Sequence, residues 1–298
     1  MIQGKILTAN LGNVLPTKSK YTFSLSSSDL AEKISKKIHK ESPDVLVLQE
    51  VWDFTRKILG KKYDFLGLND SIAVKKSFGR IKPDSFRSHA VRFKKSLKSE
   101  IYPNKDNPES IKEQKELLER NPYTGSPNSA YGIPVDFDLM SLVITTQAKD
   151  QDVLIGNAHL RSGPWNSEER SAQITSWIIE DLIPRAESQC EGRLIIAGDF
   201  NHDEDRQKGK CSRLMRELST KYDLNDAARE NTEVTTNYPF FIKDYRCDHI
   251  FGTVDFSEYR VSQSLLKKDF TQLKRRKPLT WWMHLDHKMV SANFKFEN

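Results

Sequence analysis

Six polar clusters stand at the ends of short apolar runs in this chain, and that repetition limits the folds open to it. Ile6-Leu7-Thr8-Ala9 leads to Asn10, and Val45-Leu46-Val47-Leu48 leads to Gln49-Glu50. Val153-Leu154-Ile155-Gly156-Asn157-Ala158 leads to His159, and Leu194-Ile195-Ile196-Ala197 leads to Gly198-Asp199-Phe200-Asn201. Asp248 stands in Arg246-Cys247-Asp248-His249-Ile250-Phe251, and the last cluster is Leu285-Asp286-His287-Lys288. Runs this short and continuously apolar, bounded by polar residues, read as buried strands. Buried strands must be covered on both faces, so the chain is expected to stack sheets and helices in layers, with the polar clusters at strand ends.

Helical patterns fall between the runs. Ser28-Asp29-Leu30 reads as a helix start, with a side-chain oxygen placed to cap free backbone N–H groups. Leu30, Ile34 and Ile38 then share one face until Pro43. Ser167 opens a second pattern in which Ile174, Trp177, Ile178 and Leu182 recur on one side, closed by Pro184. No Gly-rich phosphate loop follows a strand, and the order lacks a strict strand-helix-strand rhythm. That predicts mixed sheets with helices packed outside rather than a dinucleotide-binding layout. Residues 71–134 are Lys- and Ser-rich and irregular, and they read as an insertion over one face because they have too few apolar residues for a core of their own. The 298 residues are expected to form one domain carrying that insertion.

Charge narrows the partners. The net charge is +6, yet Lys75 to Lys98 alone holds nine Lys or Arg against one acid, Asp84. A second basic run extends from Lys267 to Lys277. Each run reads equally well as solvated surface or as a polyanion-binding rim, for nucleic acid first and an anionic membrane second. No apolar segment approaches the roughly 20 residues that cross a bilayer. The N-terminal residues lack a signal-peptide pattern, and Cys190, Cys211 and Cys247 are an odd count at spacings unlike a metal finger. These features predict reduced thiols and a cytoplasmic location.

The clusters have complementary chemistry. Glu50 and Asp286 are hard oxygen donors suited to Mg²⁺ or Mn²⁺. Asp199 and Asn201, two residues apart, offer an acceptor and a donor to a water and a phosphoryl oxygen. Each residue alone has an ordinary explanation: Glu50 as an ion-pair partner, His159 as a core histidine, Asn10 as a turn former before Gly12, Asp248 as a cap. Together these explanations need six coincidences.

With these motifs the chain resembles the endonuclease/exonuclease/phosphatase superfamily, of deoxyribonuclease-I-like fold. Leu48-Gln49-Glu50, Gly198-Asp199-Phe200-Asn201 and Asp286-His287 carry the resemblance, in the family's order from Asn10 to His287. It implies an α+β fold, a four-layer α/β/β/α sandwich of two packed mixed β-sheets flanked by helices. It implies metal-assisted hydrolysis of a phosphate ester with Glu50, Asn10 and Asp286 around Mg²⁺ or Mn²⁺. Asp199 and Asn201 would position the water. His287, oriented by Asp248, would act as general base, with Asp199 as the alternative base, and His159 would donate to phosphoryl oxygens. Arg161 is a candidate substrate contact. Leu285 replaces the family's Ser, His249 its Arg or Tyr, and the acid that buttresses the first histidine has no clear match beyond the guesses Asp136 and Asp138. The basic runs favour a nuclease acting on DNA or RNA. The alternative is an inositol-polyphosphate or phospholipid phosphoesterase, because Cys247-Asp248 resembles part of the inositol-polyphosphate 5-phosphatase motif.

Overall fold

The structure is a computed structural model in which the described residues are 1–11, 27–51, 53–67, 70–89, 139–160, 167–229, 231, 233, 235, 245–262 and 287–297. Two sheets stack face to face. The first has the order β12 (Asp255–Val261), β13 (Val290–Phe296), β1 (Ile2–Asn10), β2 (Val45–Gln49), β4 (Ser71–Lys75), β3 (Tyr63–Leu66). The second runs β10 (Asn225–Asp226), β11 (Asp248–Gly252), β9 (Leu194–Asp199), β8 (Asp152–His159), β7 (Leu139–Thr146), β5 (Gly79–Ile81), with β6 (Arg87–His89) also paired to β7. Both sheets are mixed: β1 and β2 are parallel, as are β8 and β9, whereas β13 and β4 run antiparallel to their neighbours.

Helices cover the outer faces. Helices α1 (Ser27–Glu41) and α2 (Asp53–Leu59) lie on the first sheet, where Ile34 and Ile38 meet Leu7, Ala9, Leu46 and Leu48. Helix α3 (Ser167–Gln173), the π-wound turn Ile174–Leu182, and α4 (Ile183–Cys190) form one continuous rod on the second sheet, joined by α5 (Lys210–Thr220). Trp177, Ile178 and Leu182 pack there against Leu154, Ala158, Leu194 and Ile196. The layers are therefore α/β/β/α, as the resemblance implies.

The alternation of strand side chains explains where the site must lie. Ile6, Val45, Val47, Ile72 and Val74 point inward from the first sheet and meet Val153, Ile155, Ile195, Ala197 and Ile250 of the second. Continuing each strand by two residues on the same face leads from Thr8 to Asn10, from Val47 to Gln49, from Asn157 to His159 and from Ala197 to Asp199. The apolar core thus ends in a polar layer at one rim of the sandwich.

The insertion expected at 71–134 begins too early. Ser71–Lys75 pairs with β2 and β3, while Gly79–Ile81 and Arg87–His89 pair with β7. Ile72 and Val74 are core residues, hidden in the sequence by the Lys and Ser that flank this short run. Residues 90–138, including Asp136 and Asp138, lie outside the described residues.

For the described part of the first basic run, the same strands favour the solvated-surface reading. Leu48 pairs with Ser71 and Val45 with Val74, so Lys75 stands at the end of the sheet away from Glu50. Arg80 pairs with Thr145, which lies opposite Asp152, at the far end of β8 from His159. Each described cation there faces an acid: Lys75 with Asp44, Lys76 with Asp64, Arg80 with Asp150, Lys82 with Asp152, and Arg87 with Asp181. Lys75, Lys76, Arg80 and Lys82 thus form an ion-paired surface at the opposite rim, whereas Arg87, paired with Ser141 beside Gly156, lies midway along β7. The second basic run, Lys267 to Lys277, lies outside the described residues.

Cys190, Cys211 and Cys247 are free and buried. Burial pushes the Cys190 and Cys211 thiols up to about 11, where they are poor nucleophiles. No helix among the described residues is long and apolar enough to cross a membrane.

Candidate active site

The polar rim gathers Asn10, Glu50, Asp70, His159, Asp199, Asn201, Asp248 and His287. Parallel pairing in each sheet sets this up. Asn10 lies beside Gln49, and His159 lies beside Asp199, which faces Asp248 across β9 and β11. Asp286 and Arg161 lie outside the described residues, as does Leu285.

Asp199 is the hub. Its Oδ2 accepts Asn10 Nδ2 at 3.2 Å and Asn201 Nδ2 at 3.1 Å, and its Oδ1 accepts the Asn201 amide at 2.7 Å. Gly198 makes this corner possible: its φ is +146°, and a Cβ there would stand 1.9 Å from the Ala158 carbonyl oxygen. Asn201 takes a left-handed backbone with φ 49° and donates from Nδ2 to the Leu160 carbonyl at 2.8 Å. Burial pushes the Asp199 carboxyl up to about 6; Asp248 adds to this, while His287, His159 and the Asn201 amide work against it.

Two histidine–carboxylate pairs flank the hub. His287 Nδ1 lies 2.9 Å from Asp248 Oδ2, which leaves Nε2 facing Asp199 Oδ2 at 3.5 Å. His159 Nδ1 donates to Asp70 Oδ2 at 3.0 Å, and its Nε2 lies 3.9 Å from Glu50 Oε1. Burial alone drives the His159 imidazole toward its neutral form. Asp70, Asp199 and Glu50 more than offset that, and its pKa rises to about 9. Asp70 therefore takes the buttressing place for which Asp136 and Asp138 were the sequence candidates. Its signal was present in the sequence, as an Asp one residue removed from the short apolar run Ile72-Ala73-Val74.

Glu50 ends β2 in a left-handed conformation, φ 53°, uncommon for a long side chain. Its amide donates to Asp70 Oδ1 at 3.0 Å, which holds the turn. The carboxylate is 29% exposed and stands 3.4 Å from Asn10 Nδ2, the most open acid of the rim. An accessible carboxylate oxygen beside a carboxamide suits a hard divalent cation. Asp199, Asp248 and His287 also bring their ligating atoms within 4.8 Å of one another, but there Asp248 and His287 are bound to each other.

A second group, Glu204, Asp226 and His249, has the same spacing. Here a guanidinium already fills the centre: Arg246 bonds Asp226 Oδ2 at 3.0 Å and pairs closely with Glu204. His249, which stands where the family has Arg or Tyr, faces away from the rim. It packs between Phe200 and Phe251 and donates from Nε2 to the His202 carbonyl at 3.0 Å.

The family model for endonucleases, exonucleases and phosphatases matches residues 7–287. Among solved structures, an endonuclease/exonuclease/phosphatase from Bacteroides vulgatus is similar at 15% identity and a TM-score of 0.63, with 100% of each chain covered. D. rerio TDP2, solved with a single-strand DNA product, is similar at 15% identity and a TM-score of 0.59, with 99% of each chain covered. The human Nocturnin catalytic domain, solved with sulfate, gives 15% identity and a TM-score of 0.59, covering 99% of this chain and 94% of that one. No curated protein sequence matches. At such identity the solved structures speak for the fold, and the family match over nearly the whole length, on a rim with these residues in these positions, decides the membership: the chain belongs to the endonuclease/exonuclease/phosphatase family.

Proposed function

We propose that the protein is a divalent-cation-dependent phosphodiesterase and that its substrate is DNA or RNA. The observation that carries the reading is the convergence of Glu50, His159, Asp199, Asn201, Asp248 and His287 on one rim, with each imidazole oriented by its own carboxylate. Glu50 would hold Mg²⁺ or Mn²⁺, with Asn10 beside it and Asp286, the residue before His287, nearby. When bound, the ion would clamp non-bridging oxygens and offset charge developing on the leaving oxygen.

The protein's own groups do the rest. His159, charged through Asp70, donates from Nε2 to a phosphoryl oxygen. Asn201 and Asp199 fix the attacking water in line with the leaving group. Its proton goes to His287 Nε2, with Asp248 holding Nδ1 so that the lone pair points at the water. Asp199, beside that nitrogen at 3.5 Å, stabilises the imidazolium that forms. Arg161, close behind His159 in sequence, would contact the substrate.

Nucleic acid as substrate is supported by the family and by the DNA product in the D. rerio TDP2 structure. One observation favours a second reading, a compact anion such as an inositol polyphosphate or a phospholipid headgroup. Four described cations of the first basic run, Lys75, Lys76, Arg80 and Lys82, are ion-paired at the opposite rim and lend the site no track for a long polyanion. Plasmid DNA, single-stranded DNA, RNA, inositol polyphosphate and sphingomyelin, each assayed with Mg²⁺ and with EDTA and with His287→Ala as control, test both. Metal-dependent cleavage of DNA or RNA that His287→Ala removes is expected. Turnover of inositol phosphate or lipid alone would overturn the nuclease reading, and no turnover at all would overturn the hydrolase reading.

A further inference from the structure

The last step of the core before the rim is polar on both sheets. Along β2 the inward side chains are Val45, Val47 and then Gln49; along β8 they are Val153, Ile155 and then Asn157, with His159 next. Gln49 and Asn157 are both 0% exposed and come from opposite sheets. Gln49 Nε2 donates to Asn157 Oδ1 at 2.7 Å. Asn157 Nδ2 in turn donates to the backbone carbonyls of Leu48 at 3.0 Å and Ser71 at 3.2 Å. Those two residues face each other across β2 and β4, directly behind Glu50 and Asp70.

We propose that this Gln49–Asn157 bridge is the positioning device of the site: it fixes the separation between Glu50 and Asp70 on one sheet and His159 on the other. The need for such a device lies in the geometry. The His159 contacts, 3.0 Å to Asp70 and 3.9 Å to Glu50, both cross the gap between sheets. Apolar packing holds two sheets together without direction, because the hydrophobic effect depends on area rather than angle. Hydrogen bonds from one sheet's side chain to the other's backbone do fix register and distance. The bridge is a costly way to fill the core. Gln49 Oε1 has no hydrogen-bond partner among the described residues, and two apolar side chains of similar volume would avoid its desolvation penalty. A carboxamide pair at this depth, fully buried between the apolar core and the rim, is explained by what it aligns.

The kinetic consequence rests on the hydrolase reading; the alignment itself does not. Two variants test it: Gln49→Met, which removes the Gln49 bonds to Asn157 and Thr8 and keeps the volume, and Gln49→Leu/Asn157→Leu, which removes both carboxamides. The readouts are kcat and KM on the preferred substrate, the thermal midpoint, and the ring ¹⁵N resonances of His159. A displaced reacting group costs about 10²-fold in rate, so kcat in the double variant is expected to fall by about that factor. KM should stay within about twofold, because substrate contacts are kept. The thermal midpoint should be unchanged or higher in the double variant and lower in Gln49→Met, which leaves the buried Asn157 Oδ1 without its donor, and the His159 resonances should shift in both variants. Folded variants with wild-type kcat and unmoved His159 resonances would overturn the proposal, as would a kcat loss that leaves those resonances in place. If the double variant does not fold, Gln49→Met decides by the same two readouts. If the wild-type protein hydrolyses none of the substrates, the hydrolase reading fails separately, and the His159 resonances alone decide whether the bridge aligns the rim.

Discussion

Asp70 reaches two parts of the rim at once: its Oδ2 holds His159 Nδ1 at 3.0 Å, and its Oδ1 accepts the Glu50 amide at 3.0 Å. One carboxylate thus orients the imidazole, keeps it charged, and ties down the left-handed turn that presents Glu50. Asp70→Asn keeps an acceptor and removes the charge. The His159 pKa should drop from about 9, and the alkaline limb of the pH–rate profile should move toward neutrality with it, because His159 donates only while protonated. We expect kcat to fall by about 10²-fold, the lower range for loss of a positioned acid–base group. A pH–rate profile and an NMR titration of His159 check both.

Asp199 contributes an acid limb to that profile. Burial and the neighbouring Asp248 raise its carboxyl to about 6, so it is ionised at neutral pH and becomes protonated as pH falls through that value. A protonated Asp199 no longer stabilises an imidazolium on His287. Activity should decline by about tenfold per pH unit well below 6. Measuring kcat from pH 4.5 to 8 checks the limb; an acid limb near 4, the ordinary carboxylate range, would contradict it.

Much of this site could be read in the sequence because strands alternate. Asn10, His159 and Asp199 each follow an inward-facing core residue by two positions, so apolar runs announced where the polar layer would fall. Asp70 is hard to read because the strand that follows it, Ser71–Lys75, is short and flanked by Lys and Ser, and the residues around it read as an insertion. The first basic run left two readings open for a related reason: the partners of its described cations, among them Asp44, Asp150, Asp152 and Asp181, come from distant segments. The core of buried polar groups around Arg246 and His202 had no local signal at all, since its members meet only in the folded protein.

His202 gives a stability prediction with a definite sign. It is buried, and its Nε2 donates to Ser212 Oγ at 2.8 Å, since that hydroxyl spends its own proton on the Gln207 carbonyl. Burial, Arg170, His249 and Arg216 lower its pKa to about 4, with Asp203 opposing them. The unfolded chain, with an ordinary imidazole near 6.5, binds more protons than the folded one between these values. Stability is therefore full above 6.5 and is lost as pH falls toward 4, by roughly 3 kcal/mol in all. His202→Gln retains a donor for Ser212 without titrating. Urea unfolding from pH 4 to 7 should show a shallower slope in that variant than in the wild type.

Arg246 should be the most damaging single site outside the rim. Its guanidinium is 4% exposed and lies between Glu204 and Asp226, while its backbone amide donates to Asp203 Oδ2 at 2.9 Å. This ties the loop that follows Asn201 to the strand that carries Asp248. Replacing Arg246 with Met keeps much of the volume but leaves Glu204, 8% exposed, and Asp226 without their cation. An unpaired buried charge of this kind costs about 3–5 kcal/mol, far more than the net worth of the intact pair. Arg246→Lys should recover only part, because one ammonium cannot bond both carboxylates with the geometry of a planar fork. In Arg246→Met/Glu204→Gln/Asp226→Asn the buried charges are gone together, and the loss should shrink well below the single variant's. Urea midpoints of these three variants test the order: wild type highest, then the triple variant and Arg246→Lys, with Arg246→Met lowest. Equal midpoints for Arg246→Met and the triple variant would mean that lost packing, rather than unpaired charge, sets the cost.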